Sequence, residues 1–382
     1  MPKSLILCCD GTWNTPDQKC PTNVTKIALA LADTGEGGHE QRIFYHRGVG
    51  STPDERLRGG AFGYGLSRDV RDVYQFLVQN YEPGDRLYFF GFSRGAFTAR
   101  STAGFVRNCG ILRATESHRI DEAYTLYRSR RRKTQPRGVE ASLFRRSYSH
   151  EPRIRFIGVW DTVGALGIPV DGLHLSSWIN RRWQFHDTTL SSTVDAAYHA
   201  LAVDEQRGPF QPALWSQQGD APKHQILEQV WFSGVHCDIG GGNPEHKLSD
   251  IPLQWMVSRA RSCGLHFKPE AFSHCTEPGT PTNDDEGFQR LTCVAPDALG
   301  NFDDSRTGMY RLIPRFRRKL GIAENGNEYV SSSALLRRER IADYRPIGLD
   351  GYPERQNPPV MWLDADRMAP SPAGPDGHEV LV

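Results

Sequence analysis

No apolar run in the sequence approaches about 18 residues, the length that a membrane-spanning helix requires. The first apolar stretch, in "MPKSLILCCDGTWN", is interrupted at Asp10 and is too short for the hydrophobic region of a secretory signal peptide. We therefore expect a protein without a membrane span that is cytoplasmic as synthesised. If it leaves the cell, we expect export by a route that does not use a signal peptide.

The chain also has little net charge and no paired-cysteine motif. Its 382 residues carry a formal net charge of +1, which argues against a protein built mainly to neutralise a polyanion, so we expect no nucleic-acid partner. Eight cysteines are scattered along the chain without a CxxC pair. In a chain of this length they indicate buried or free thiols in a reducing compartment rather than a disulfide framework.

Positive charge is nevertheless concentrated in two basic clusters. They occupy Tyr127–Gly138 ("YRSRRRKTQPRG") and Pro314–Gly321 ("PRFRRKLG"). One interpretation is a solvated loop and a solvated helix face, which is the usual role of such charge runs. The other is peripheral contact with the anionic headgroups of a membrane.

Apolar strand-like runs alternate with helical patterns, which is typical of βα units and a largely parallel sheet. The strand-like runs are "SLILCC", "RIFYHRG", "RLYFFG", "RIRFIGVWD" and "EQVWFSGV", and helical spacing occurs in "LSRDVRDVYQFLVQNY", "RGAFTARSTAGFVRNCG" and "SDIPLQWMVSRARSCG". Ser67 is the expected N-cap of the first of these helices, and Ser249 or Asp250 that of the last. The pattern predicts a single α/β domain over residues 1–367 and a disordered tail over residues 368–382.

The stretch "GFSRG" has the G-x-S-x-G pattern and lies between an apolar strand and a helix, the context of a nucleophile elbow. In such an elbow the serine has a strained backbone conformation that holds its hydroxyl clear of the sheet. Gly91 and Gly95 must be small because a Cβ at either position would collide with a neighbouring strand or helix. The pattern predicts Ser93 as a nucleophile; the alternative is an ordinary βα turn with an incidental serine.

A serine hydroxyl needs a base to become nucleophilic, and the base needs an acid to orient it. In hydrolases with this elbow, the acid and then the histidine follow the serine along the chain, each at the carboxyl end of a strand. Asp161 ends "RFIGVWD" and His236 follows "VWFSGV", so both satisfy the order. Asp238 is a rival acid or a local turn former, and His199 is a rival base on a helical stretch.

An acyl-transfer site also needs donors for the oxyanion of the tetrahedral intermediate. The Arg94 N–H at the start of the helix is one expected donor, and Gly11 or Thr12 in "CDGTWN" supplies the other. His236 and Asp238 form an H-x-D pair, but a catalytic zinc site needs about three protein ligands, and the sequence offers no convincing set. We expect neither a metal nor a cofactor.

Residues 162–228 interrupt the alternation of strands and helices and are interpreted as an insertion or cap. The segment is rich in tryptophan, proline and polar residues, and "STVDAAYHALAVDEQR" within it has helical spacing. Its apolar side chains either form the wall or lid of an acyl pocket or belong to the ordinary core. The residues concerned are Leu166, Ile168, Trp178, Trp183 and Phe185.

Five stretches together resemble the catalytic domain of the type VI secretion phospholipase effectors, a family of the α/β-hydrolase superfamily long catalogued as a domain of unknown function. They are "DGTWN", the run from "AFGYGLSRDVRDVYQ" through "GFSRGAFTAR" to "RNCGIL", "VWDTVGALG", "YHALAVDEQRGPFQPALW" and "VWFSGVHCDIGGG". The resemblance runs from about Leu5 to Gly242, and the extended G-F-S-R-G-A-F-x-A-R form is far more specific than G-x-S-x-G.

The resemblance implies an α/β-hydrolase fold, a triad matching Ser93, Asp161 and His236, and hydrolysis of acyl esters in glycerophospholipids. Relatives often carry Ile-His-x-Ser-Val near the C-terminal end, whereas this chain has "VSSSA" with Ser331 at the histidine position. Motif and resemblance together predict a serine esterase or lipase that acts on a lipid or a small acyl ester. The alternatives are a carboxylesterase or thioesterase for soluble substrates, and a non-catalytic binding module.

Overall fold

The computed structural model describes residues 2–11, 14, 18–48, 62–164, 189–275 and 286–363, apart from residues 303, 313, 324, 326, 351 and 353–356. Several predictions fall on residues outside these ranges. They concern Thr12, the tail over residues 368–382, and the expected pocket residues Leu166, Ile168, Trp178, Trp183 and Phe185.

The centre of the protein is an eight-stranded sheet in which every neighbouring pair of strands is parallel. In chain order the strands are β1 (Ser4–Cys9), β2 (Gln41–His46), β3 (Arg86–Phe92), β4 (Ile154–Trp160), β5 (Ala196–Ala202), β6 (Ile226–Phe232), β7 (Glu328–Ser331) and β8 (Val360–Met361). Their spatial order is β2-β1-β3-β4-β5-β6-β7-β8. The prediction of an α/β-hydrolase-like fold with a mostly parallel sheet is confirmed.

Helices cover both faces of this sheet, as the sequence predicts. They are α1 (Asn23–Ala30), α2 (Phe62–Asn80), α3 (Arg94–Cys109), α4 (Ile120–Arg128), α5 (Val139–Tyr148), α6 (His236–Gly240), α7 (Lys247–Ser262), α8 (Glu286–Thr292) and α9 (Ser332–Arg340). Among the described residues, no helix is both long enough and apolar enough to cross a bilayer.

The central strands are buried on both faces of the sheet. Successive side chains of a strand point to opposite sides, and helices cover each side. Leu87 and Phe89 of β3 pack with residues of α2, α3, α4 and α5. Tyr88 and Phe90 of the same strand pack with residues of α1 and α7 on the other face. Two covered faces explain why the strands read as continuous apolar runs in the sequence.

Two predicted helix starts are wrong, because the residues expected as caps lie inside longer helices. Ser67 falls within α2, which begins at Phe62. The last helix, α7, begins at Lys247, so Ser249 and Asp250 are also internal. The hydroxyl of Ser249 donates to a backbone carbonyl of the preceding turn, and Asp250 accepts hydrogen bonds from two basic side chains, so neither side chain caps the helix.

The stretch predicted as a helix around His199 is instead the strand β5. All seven residues of β5 are buried, between β4 and β6 in the sheet. A strand buried on both faces has no polar alternation, so its apolar residues can mimic helical spacing. The strand lies within the range 162–228, so this part of the expected insertion belongs to the central sheet.

The cysteines do not all have free thiols. Cys275 and Cys293 form a disulfide on either side of α8, while the other six cysteines are unbonded to one another. The sequence-based prediction is therefore wrong for this pair. Its 18-residue separation has no motif that would single it out from the scattered thiols.

Candidate active site

Ser93 occupies the turn between β3 and α3 with a backbone conformation that is rare for residues other than glycine. Its φ is 57° and its ψ is −119°. A Cβ at Gly91 would lie 2.6 Å from Ala96 Cα, and one at Gly95 would lie 2.1 Å from the Cys9 carbonyl oxygen. Both distances are shorter than real Cβ contacts, so the turn requires glycine at these two positions.

The three residues predicted to act together meet at the carboxyl edge of the sheet. His236 Nε2 lies 2.8 Å from Ser93 Oγ, and His236 Nδ1 lies 2.6 Å from Asp161 Oδ2. All three side chains are buried, and the imidazole contacts the rings of Phe92 and Phe210, whose centroids are 4.7 and 4.8 Å away. Because an ionised carboxylate only accepts hydrogen bonds, Nδ1 is the donor and Nε2 faces the hydroxyl.

Asp161 has a second charged partner that the sequence reasoning missed. Arg318 Nη1 lies 2.5 Å from Oδ1, Arg318 Nη2 lies 2.9 Å from Oδ2, and the Ala202 N–H donates to Oδ1 at 3.1 Å. Burial alone would raise the pKa of Asp161. The Arg318 guanidinium and the hydrogen bond from His236 act in the opposite direction, and the net effect is a pKa well below the usual range.

The burial of Arg318 changes the interpretation of the second basic cluster, Pro314–Gly321. Its side chains alternate: Arg315, Arg317 and Lys319 are exposed, while Phe316 is partly buried and Arg318 and Leu320 are buried. For Arg318, the predictions of a solvated face and of headgroup contact are both wrong. An alternation with a period of two is the one sequence signal that could have identified it as an inward-facing residue.

The rival acid and the rival base have other partners. Asp238 Oδ2 accepts the Val235 N–H at 2.8 Å, which is the local turn contact that the sequence left open for it. His199 is fully buried in β5, and its Nε2 accepts the Thr162 N–H at 3.1 Å. Burial lowers the pKa of His199 to about 3, so this ring is neutral and part of the core.

The two expected oxyanion donors lie in different local settings. The Arg94 N–H belongs to the first turn of α3, whose leading amides have no acceptor within the helix. The Gly11 N–H instead donates to Asp10 Oδ1 at 2.6 Å, so in this conformation it does not serve as the second donor. The Asp10 carboxylate is itself held by Thr22 and Tyr45, whose hydroxyls lie 2.7 and 2.6 Å from Oδ2.

Ser331, at the position where relatives often carry histidine, has a structural role. It is fully buried at the end of β7 and is the N-cap of α9. Its Oγ accepts the Ala334 N–H at 3.2 Å and lies 3.0 Å from Ser333 Oγ. A capping serine satisfies one of the amides that the first turn of a helix leaves without a partner.

Residues 3–259 match the family model described as "T6SS, Phospholipase effector Tle1-like, catalytic domain". The chain belongs to this family. The resemblance inferred from the sequence is thereby confirmed. The matched range of the Tle1-like catalytic domain contains Ser93, Asp161 and His236 but ends before Arg318.

One curated relative and two solved structures are similar to this Tle1-like chain. Uncharacterized protein YEL023C of Saccharomyces cerevisiae is 31% identical over 258 residues, which cover 62% of this chain and 35% of that protein. An uncharacterized protein from Pseudomonas aeruginosa has 19% identity and a TM-score of 0.42, covering 77% of this chain and 49% of that one. A Tle1 effector bound to the VgrG spike of the type 6 secretion system has 18% identity and a TM-score of 0.35, covering 64% and 52%. The chain thus spans about a third of the yeast protein and about half of each structure.

Proposed function

We propose that this chain is a serine hydrolase of acyl esters, with Ser93 as nucleophile, His236 as general base and Asp161 as the acid that orients it. The observation that carries the proposal is the continuous pair of contacts, 2.8 Å from Ser93 Oγ to His236 Nε2 and 2.6 Å from Nδ1 to Asp161 Oδ2. Nucleophile, base and orienting group within hydrogen-bond reach are the arrangement that acyl transfer requires.

The reaction proceeds in two halves. Ser93 Oγ attacks the ester carbonyl carbon while His236 Nε2 takes the hydroxyl proton, and the Arg94 N–H stabilises the resulting oxyanion. The imidazolium then protonates the departing alkoxide, which leaves an acyl group on Ser93. Water attacks this acyl-enzyme by the same route, with His236 as base, and releases the acid. Asp161 remains ionised throughout and stabilises the imidazolium.

The substrate class that we propose is a lipid ester, and specifically a phospholipid. The description of the family as a phospholipase effector supports this choice. Three exposed cations, Arg315, Arg317 and Lys319, lie within three positions along the chain of the buried Arg318 that binds Asp161. We call these three side chains the basic strip, and we propose that the strip contacts the anionic headgroups of a substrate membrane.

The first basic cluster is a weaker candidate for the same contact. Arg145 Nη1 donates to the carbonyl oxygens of Asn108 and Pro136, at 2.9 Å each, so the loop of this cluster lies at the far end of α3. Fifteen residues of helix separate that end from Ser93, a rise of about 22 Å. A membrane contact at this loop would not present the site to the same surface.

The proposal is tested by comparing the wild type with Ser93→Ala on short-chain nitrophenyl esters and on a fluorogenic phospholipid. We expect kcat/KM to fall by about 10⁴-fold or more in the variant. Ser331→Ala is the matched control, because it also removes a buried hydroxyl and should keep its activity. Equal hydrolysis by the wild type and Ser93→Ala would contradict the role of Ser93.

The form of the substrate separates the lipase from the alternatives. A rate that rises when the ester is presented in micelles or vesicles supports a lipid substrate. A rate that is the same for monomeric and aggregated ester would instead assign the protein to small soluble esters as a carboxylesterase or thioesterase. A wild-type protein that hydrolyses none of these esters would favour a non-catalytic binding module.

A further inference from the structure

We propose that Arg318 is a positioning residue of this site, which fixes the Asp161 carboxylate for His236 and so makes the segment beyond the family-matched range part of the catalytic machinery. The inference rests on the proposed serine hydrolase function. It extends that function to a residue that lies outside residues 3–259 and 157 positions after Asp161 in the chain.

The guanidinium of Arg318 is held in one orientation by four hydrogen bonds. Nη1 binds Asp161 Oδ1 at 2.5 Å and the Ala202 carbonyl oxygen at 2.9 Å. Nη2 binds Asp161 Oδ2 at 2.9 Å and the Phe210 carbonyl oxygen at 2.7 Å. The side chains of Arg318 and Asp161 are both fully buried, so solvent does not screen the pair.

The two hydrogen bonds from the guanidinium determine the orientation of the Asp161 carboxylate. Asp161 Oδ2 accepts from both Arg318 Nη2 and His236 Nδ1, so the atom that orients the imidazole is itself held by the arginine. The planar guanidinium matches the two carboxylate oxygens, which an ammonium group cannot do. Without Arg318, the carboxylate keeps two hydrogen bonds to described residues, from the Ala202 N–H and from the imidazole that it is meant to orient.

Arg318 also sets the charge that His236 experiences. Asp161 and Arg318 together are neutral, so removal of the arginine leaves a net negative charge buried beside the imidazole. Within the described part of the chain, the other charged or titratable groups facing Asp161 and His236 include His199, Glu205, Arg207 and Cys237.

The neighbouring groups do not replace Arg318. Arg207 is paired with Glu205, with Nη2 2.7 Å from Oε2 and Nε 2.9 Å from Oε1, so their charges offset one another. His199 is a neutral core residue, and burial raises the pKa of Cys237 to about 11, so its thiol is uncharged near neutral pH. Arg318 is thus the cation that balances Asp161 among the described residues in contact with it.

The test compares the wild type, Arg318→Met and Arg318→Lys on a monomeric nitrophenyl ester, so that membrane binding does not enter. We expect kcat/KM of Arg318→Met to fall about 100-fold, the effect of misplacing a catalytic group by about 1 Å. Arg318→Lys should recover only part of the rate, because an ammonium group restores the positive charge but not the two parallel hydrogen bonds of the guanidinium. Arg145→Met is the matched control, because it removes another buried guanidinium bound to two carbonyl oxygens, at the far end of α3.

A double-mutant cycle with Asp161→Asn separates positioning from general destabilisation. If Arg318 acts through Asp161, Arg318→Met should cost less than about threefold in the Asp161→Asn background. A loss of the full 100-fold in that background would overturn the inference, as would a folded Arg318→Met protein with unchanged kcat/KM. If the single variant does not fold, the comparison of the double variant with Asp161→Asn alone carries the test. The double variant keeps neither buried charge, whereas Asp161→Asn alone keeps the Arg318 guanidinium bound to the carbonyl oxygens of Ala202 and Phe210.

Failure of the proposed function has a different signature. If the wild type hydrolyses no ester, or hydrolyses it as well as Ser93→Ala does, the serine hydrolase itself is refuted. If the wild type is active, Ser93→Ala is inactive and Arg318→Met is folded and fully active, only the role of Arg318 is refuted.

Discussion

Replacement of two glycines of α3 by alanine should change the unfolding free energy in opposite directions. A Cβ at Gly95 would lie 2.1 Å from the Cys9 carbonyl oxygen and 2.4 Å from that of Asp10. These atoms belong to the backbone at the end of β1, which is paired with strands on both sides. At Gly104, by contrast, the nearest atom to a new Cβ is the Tyr127 hydroxyl at 3.4 Å, an ordinary contact.

The expected magnitudes follow from these distances. Relief of the clash at Gly95 requires a shift of nearly 1 Å in backbone that the sheet holds in place, and overpacking of this kind costs about 3 kcal/mol of unfolding free energy. Gly104→Ala meets no such clash and gains helix propensity, which is worth up to about 1 kcal/mol. The two variants should therefore differ by about 4 kcal/mol although the chemical change is the same.

Denaturant unfolding measures the free energies, and the rate of fluorophosphonate labelling reports on Ser93. Gly95→Ala should label about 100-fold more slowly than the wild type, because the shift displaces the hydroxyl by about the distance that costs this factor. Gly104→Ala should label at the wild-type rate. A Gly95→Ala protein as stable and as reactive as the wild type would refute the steric explanation of the elbow.

Three further variants test other parts of the account. Ser331→Ala should lose about 1 kcal/mol of unfolding free energy with its N-cap while keeping its ester hydrolysis, and a loss of activity in folded protein would contradict a purely structural role. Burial raises the pKa of Asp204 to about 6, so its protonated form stabilises the fold, and this contribution of up to about 3 kcal/mol is lost as pH rises from about 4 through 6. Asp204→Asn should therefore make the unfolding free energy depend less on pH across that range. A pH dependence equal to that of the wild type would contradict this. Replacement of Arg315, Arg317 and Lys319 by glutamine should weaken sedimentation with anionic vesicles and reduce its salt dependence, whereas binding equal to that of the wild type would remove the strip from the proposal.

The sequence was most informative where the local pattern and the tertiary environment agree. Four of the strand-like runs, in β1, β3, β4 and β6, are apolar because both faces of the sheet are covered, and each is followed by a polar or glycine-rich turn. The elbow could be predicted because its steric demand falls on residues within two positions of Ser93. The order of acid and histidine follows from the sequence of strand ends along the chain.

The features that sequence reasoning missed depend on contacts between distant residues. β5 has apolar residues on both faces, so no period distinguishes it from a buried helix. Arg318 has the composition of a surface cluster, and its partner Asp161 lies 157 positions away. The Gly11 amide is engaged by the side chain of the residue before it, a local rotamer that no motif specifies. Such features follow from packing, which a single sequence does not display.

The measurement that tests the central claim most directly is the reaction of the folded protein with a fluorophosphonate probe, followed by peptide mapping of the adduct. Because His236 Nε2 is 2.8 Å from Ser93 Oγ, we expect a single adduct on Ser93 at neutral pH, much slower labelling in His236→Gln and none in Ser93→Ala. Folded wild-type protein that carries no adduct on Ser93 would contradict the account. So would a His236→Gln protein that labels as fast as the wild type.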